Sequence, residues 1–265
     1  MRQQRRPKGK VNRSVLQNRI KRDLYLVGKS SIIELIDEHH NDFDFIVVGN
    51  NYDSDKIGKI VSLSKKYGIE VNHSSDLLKT IEKEKGVDTS GIIVFLKRPI
   101  GKFYRFNEVL DAMTALDQCT VVAFPDVEYE QNIGAMIRTS VALGADFILV
   151  PNGQQKVFSS VVTKVSMGYN YLIPIVQENF LLAIEKLKDN DFDIYGLDMN
   201  GENIADMRYN SRVCFIVGND GKGLSETTLK QCTQVLSIPM VDVVESLNVS
   251  ASLAIALYDR MTKSR

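Results

Sequence analysis

From about residue 44 to residue 239 the chain alternates two patterns, short continuous apolar runs and longer stretches whose apolar positions recur three and four apart. The first pattern reads as buried strand and the second as amphipathic helix. Ser30 or Ser31 is placed to cap a helix through Ile32, Ile33, Leu35 and Ile36, followed by a strand at 44–49. A polar helix near 55–67, a short strand at 68–71, a helix over 75–86 and a strand at 91–96 complete a small α/β unit. The stretch "KRPIGKFYRF" (97–106), with four basic residues, Pro99 and Gly101, reads as a linker whose basic and aromatic side chains also suit RNA. A tighter alternation follows. Helices are expected at 107–118, 131–143, 178–189, 223–232 and 246–262, and strands at 120–124, 146–150, 172–176, 193–197, 214–218 and 235–239. Strands that are apolar throughout and separated by helices predict an α/β fold with a mostly parallel sheet covered on both faces, and such sheets gather ligands at the carboxyl ends of their strands.

Of 265 residues 44% are apolar, enough for two cores, and the chain is long for one compact domain. Its 33 basic and 33 acidic residues balance, but residues 1–22 hold nine Lys or Arg and no acid, which leaves the remainder net −9 from 24 basic and 33 acidic residues. A segment this basic is drawn to polyanions. It also reads as a solvated tail, or as an Arg-rich targeting segment with Val11, Val15, Leu16, Ile20 and Leu24 on one helical face. No apolar run is long enough for a membrane helix. Cys119, Cys214 and Cys232 are odd in number and widely spaced, and His39, His40 and His73 have polar neighbours, so neither a disulfide framework nor a metal site is expected.

Three polar interruptions follow strand ends in the second unit. In "NIGAMIRTSVALGAD" (132–146), Ile133, Ile137 and Val141 share one side of a helix, and Asn132, Ala135, Arg138 and Thr139 share another. In "VGNDGKGLSE" (217–226), Gly218, Gly221 and Gly223 allow close backbone approach to a ligand, and Ser225 with Glu226 opens a helix. The glycine order fits neither the Walker loop nor the dinucleotide fingerprint, so a nucleotide-like ligand would be held by backbone rather than by a charged side chain, and a dehydrogenase is disfavoured. In "SIPMVDVVESLNVS" (237–250), Pro239 ends a strand, Ser246 is placed to cap the last helix, and Asn248 stands at the same helix mouth.

These three stretches, in this order, resemble the motifs of the SpoU/TrmH family of RNA ribose 2′-O-methyltransferases, of the SPOUT class, over about 120–265. "SMGY" (166–169) falls where that family has a Ser-x-Gly element, and the first unit, beginning "LYLVGKSSIIELI", resembles an L30e-like substrate-binding domain. The resemblance implies a basic tail at 1–23, an RNA-binding domain at 24–97, a linker at 98–106 and a methyltransferase domain at 107–265 with a deep trefoil knot. It implies S-adenosyl-L-methionine as cofactor, RNA as substrate and a homodimer formed through the knotted domain. Donor contacts would fall on Gly218, Ile238 and Leu247, with Leu197, Val217, Asn219, Gly223 and Met240 around them. Catalytic or substrate roles would fall on Asn132, Arg138, Ser246, Asn248 and Asp220. The family usually has Glu where Asp220 stands and Gly where Asp242 stands. Large-subunit rRNA of the 23S type is the expected target. A tRNA enzyme, or an RNA-binding ribosome-assembly factor on the same fold, is the alternative. The resemblance further implies a cytoplasmic enzyme, with the basic N-terminus also compatible with organellar import.

Overall fold

The computed structural model describes residues 19–22, 24–50, 54–219, 221–241, 243 and 246–263. The chain divides between Pro99 and Ile100 into two compact units.

The first unit is a four-stranded mixed sheet in the order β1-β4-β2-β3, formed by β1 (Tyr25–Val27), β2 (Phe43–Val48), β3 (Glu70–His73) and β4 (Ile92–Leu96). Strand β2 runs antiparallel to β4 and parallel to β3. Helices α1 (Lys29–His39), α2 (Asp55–Tyr67) and α3 (Ser75–Lys85) intervene. Both α2 and α3 begin on a serine, Ser54 and Ser74, whose side chain accepts from the backbone N–H three residues on, and both end on a left-handed glycine, Gly68 and Gly86. The expected cap of α1 differs. The helix starts at Lys29 directly after Gly28 (φ 91°), and Ser31 lies buried inside it. Gly28 supplies a positive φ that turns the strand straight into the helix, so neither Ser30 nor Ser31 is needed as a cap. At the other end of the unit, Ile20 is buried and Arg19 pairs with Asp44, so this part of the expected tail packs onto the domain. The rest of the basic segment, residues 1–18, lies outside the described residues.

The second unit is a seven-stranded sheet in the order β11-β9-β10-β6-β7-β8-β5, with every neighbouring pair parallel. Its strands are β5 (Phe103–Tyr104), β6 (Cys119–Ala123), β7 (Phe147–Pro151), β8 (Ile175–Glu178), β9 (Asp193–Asn203), β10 (Arg212–Ile216) and β11 (Gln234–Ser237). Between and after them run α4 (Phe106–Ala115), α5 (Glu130–Ala142), α6 (Ser160–Val165), α7 (Phe180–Lys188), α8 (Glu226–Leu229) and α9 (Val249–Lys263). Alternate strand residues enter two cores. Val122, Phe215 and Val217 join Ile133, Met136, Ile137, Leu253 and Leu257 on one face, whereas Val121, Ala123, Cys214 and Ile216 join Phe106, Met113, Ile184 and Leu187 on the other. Each fully buried Val, Leu or Ile contributes roughly 1.5–3 kcal/mol of transfer free energy. Two buried faces are why the strands read as continuous apolar runs.

Three expectations are adjusted here. Part of the stretch expected as linker, Phe103–Tyr104, pairs with β8 at the sheet edge. The expected helix at 223–232 is one turn, α8, capped by Ser225, whose hydroxyl oxygen accepts from the Thr228 N–H. The last helix starts at Val249 rather than 246, so Ser246 is not its cap. Asn248 takes that position, its Oδ1 accepting from the Ser250 N–H at 3.0 Å.

Candidate functional site

Strand β9 carries an irregularity that builds one wall of a cavity. Its ladder with β11 pairs Val235 with Gly196 and then Leu236 with Glu202, so residues 197–201 leave the pairing. The released segment and the chain after β10 enclose a cavity of about 520 Å³ at the carboxyl ends of the strands, the end where such sheets bind ligands. Leu197, Val217, Leu236, Ile238, Met240 and Leu247 supply apolar walls, and Gly218, Asn219, Gly221 and Gly223 supply backbone.

The glycine turn is closed by a reciprocal pair. Asn219 N–H donates to the Gly223 carbonyl and Gly223 N–H donates to the Asn219 carbonyl, both at 3.1 Å. Asn219 is buried, and its Nδ2 donates to the Asp126 carbonyl at 3.0 Å, which ties the turn to the chain after β6. A Cβ on Gly218 would stand 2.3 Å from the Gly223 oxygen, so only glycine fits beneath the turn. Gly221 (φ 99°) and Gly223 (φ 64°) occupy the left-handed region that the turn requires.

All eight residues expected at the donor, Gly218, Ile238, Leu247, Leu197, Val217, Asn219, Gly223 and Met240, line this cavity, as do Ser246 and Asn248. Asn132, at the start of α5, meets the cavity's rim through Asn248, whose Nδ2 donates to Asn132 Oδ1 at 3.3 Å. The first and third polar stretches are thereby joined at one mouth. Arg138 stands further along α5, exposed and outside the cavity lining. Asp220 and Asp242 lie outside the described residues.

Charged side chains also stand in the wall. Asp198 and Lys222 both line the cavity, and the sequence signal for Asp198 was its place as the first polar residue after the apolar run 194–197. The Ser-x-Gly element does not reach the cavity. Ser166 is buried and donates to Asn170 Oδ1 at 3.1 Å, Asn170 Nδ2 donates to the Val157 carbonyl at 3.0 Å, and Gly168 (φ 88°) turns the chain between them. This buried network braces the chain around α6, which packs so closely on α5 that a Cβ on Gly134 would meet Val165 Cβ at 2.7 Å.

The three thiols serve the core. Burial, with a smaller contribution from Asp146, pushes Cys119 up to about 12. Burial also pushes Cys232 up to about 11 and raises Cys214 further. Groups held so firmly protonated are poor nucleophiles. Among the described residues no cluster of His, Cys, Asp and Glu is arranged to hold a metal ion, and no helix is long and apolar enough to cross a membrane.

A parallel α/β sheet with a glycine-turn cavity at its carboxyl edge defines a class of proteins that bind nucleotide-like ligands there. The model of the SpoU rRNA methylase family matches residues 119–258, and the chain belongs to that family of RNA methyltransferases. Relatives agree. A Staphylococcus saprophyticus protein assigned by name to the TrmH family of tRNA/rRNA methyltransferases is 25% identical over 249 residues, covering 91% of this chain and 96% of that protein. The 23S rRNA (guanosine-2′-O-)-methyltransferase RlmB of Escherichia coli is 27% identical over 180 residues, covering 67% of this chain and 73% of RlmB. In fold, the chain is similar to an AdoMet-bound rRNA methyltransferase from Sinorhizobium meliloti, with a TM-score of 0.70 at 18% identity over 92% of this chain and 89% of that one.

Proposed function

We propose that this protein transfers the methyl group of S-adenosylmethionine to a ribose 2′-hydroxyl in large-subunit rRNA of the 23S type. The observation that carries the reading is the shared mouth, at which a glycine-turn cavity opens beside the Asn248–Asn132 hydrogen bond. A donor-binding site and a polar site for a sugar are then adjacent, as methyl transfer in line requires. The named activity of RlmB, a 23S rRNA guanosine-2′-O-methyltransferase, supports the choice of target.

The cavity suits the donor on physical grounds. Its volume of about 520 Å³ falls among those of small-molecule sites. The crowding at Gly218 leaves backbone, not a side chain, facing the ligand, and Leu197, Val217 and Ile238 offer apolar surface to a purine. When bound, the donor supplies an electrophilic methyl group on a sulfonium.

The chain's own residues do the positioning, which can lower a barrier by on the order of 7–11 kcal/mol in favourable cases. Asn132, Ser246 and Asn248 orient the ribose. Arg138 is always protonated and cannot act as a base, so it grips the adjacent phosphate and stabilises charge developing on the 2′-oxygen. The proton leaves to phosphate or water. The first unit binds RNA as an L30e-like domain, and the exposed stripe Ala251, Ile255 and Tyr258 on α9 serves a homodimer whose domain is knotted.

Labelled methyl transfer from S-adenosylmethionine to total RNA tests the reading, followed by mapping of ribose methylation in cells with and without the protein. Label in a 2′-O-methylated nucleotide of 23S rRNA is expected, and Arg138→Lys should reduce its rate by at least tenfold through loss of the bidentate fork. Label confined to tRNA would move the target, and base methylation would refute the chemistry.

A further inference from the structure

We propose that Asp198 accepts hydrogen bonds from the ribose hydroxyls of the adenosyl donor, which makes it a donor-binding residue in addition to those the motifs supply. The inference rests on the reading of the cavity as a donor site. It begins with the break in the β9 ladder, where residues 197–201 drop out of the pairing with β11 between Gly196 and Glu202 and Asp198 joins the cavity lining.

The carboxylate is fixed in place. Its Oδ1 accepts from the Asn200 backbone N–H at 3.1 Å and from Asn200 Nδ2 at 3.4 Å, which uses the lone pairs of that oxygen. Its Oδ2 has no hydrogen-bond partner among the described residues, and it lies 3.4 Å from where a Cβ on Gly223 would sit. A preorganised acceptor thus stands beside the glycine turn in the cavity wall, with two lone-pair sites open.

Two observations favour hydroxyls over a cationic group as its partner. Strand β9 lies directly beside β10, whose carboxyl end carries Gly218. Asp198 follows the part of β9 that is paired with β10, and a carboxylate just beyond the paired end of the strand next to a glycine-turn strand is the arrangement that takes ribose hydroxyls in dinucleotide-binding sheets. Lys222 lines the same cavity and supplies a positive charge there, so Asp198 is not a lone anion that calls for a cation.

Calorimetry on the full chain tests this with three ligands: S-adenosylmethionine, 5′-methylthioadenosine, which lacks the amino-acid end and the sulfonium, and 5′-methylthio-2′-deoxyadenosine. Asp198→Asn is expected to weaken the first two by the same factor, roughly tenfold to a hundredfold for hydrogen bonds to a charged group. The wild-type protein is expected to bind the deoxy compound less tightly than 5′-methylthioadenosine by at least tenfold, a result that does not depend on the variant folding. If the substitution weakened S-adenosylmethionine alone, Asp198 would face the amino-acid end, and the proposal would fall. Equal wild-type affinity for the two thioadenosines would also overturn it. Failure of wild-type protein to bind S-adenosylmethionine at all would instead sink the donor reading on which this one stands.

Discussion

Gly218 and Gly221 sit in the same turn but respond to different constraints, and the difference can be measured. At Gly218 a methyl group would meet backbone, the Gly223 oxygen 2.3 Å away, and backbone cannot swing aside as a side chain can. At Gly221 a Cβ meets nothing within 4 Å, so the obstacle is only its positive φ of 99°. Gly218→Ala is therefore expected to abolish S-adenosylmethionine binding in calorimetry. Gly221→Ala should leave binding detectable and cost about 1 kcal/mol of stability in a urea melt. The glycines themselves were plain in the sequence. Which of them is crowded and which is merely bent was not, because crowding depends on a carbonyl that the fold brings back over the turn.

Helix α9 shows how an element can be foreseen and its start misplaced. Its apolar positions gave its course, since Leu253, Ala256 and Leu257 are all buried. Both Ser246 and Asn248 are capable caps by residue type, and the choice fell to Asn248 because its side chain reaches Ser250 and Asn132 together. Asn248→Ala should thus lower stability by about 1 kcal/mol in urea and also slow methyl transfer, whereas Ser246→Ala should leave the urea midpoint unchanged. Equal midpoints for the two variants would contradict the assignment of the cap. The same logic governs β9. Residues 194–197 form a legible apolar run, but the excursion at 197–201 is a matter of pairing with β11, a strand that begins only at Gln234, and no local pattern announces it.

At the scale of the molecule, burial of the thiols sets a stability limit in alkali. Cys119 is raised from 9.0 to about 12, chiefly by desolvation, so it stays protonated in the folded state at a pH where the unfolded chain's thiol ionises. The folded state then binds more protons than the unfolded one, and stability falls as pH rises from about 9 toward about 12. Below pH 9 the contribution is fully present. Urea midpoints measured near pH 8 and pH 10.5 should drop in the wild type, and drop less in Cys119→Ala. A parallel decline in both would show that other groups control the alkaline limb. Sedimentation at micromolar concentration should give a dimer, and Tyr258→Glu, placing a charge on the exposed stripe of α9, should shift it toward monomer.

By itself the sequence determined that this is an α/β chain with a parallel sheet covered on both faces, and it singled out the three polar stretches that meet at one cavity and its rim. Period and residue type are local properties, and the apolar runs had to be buried twice over. Only the tertiary structure decided that ten of the expected residues line one cavity and that Arg138 stands outside it. It also brought Asp198 into the wall and gave Asn248 rather than Ser246 the cap. Each of these turns on a contact between segments far apart in the chain, 116 residues for Asn132 with Asn248, and such a contact exists only once the sheet has fixed both partners in space.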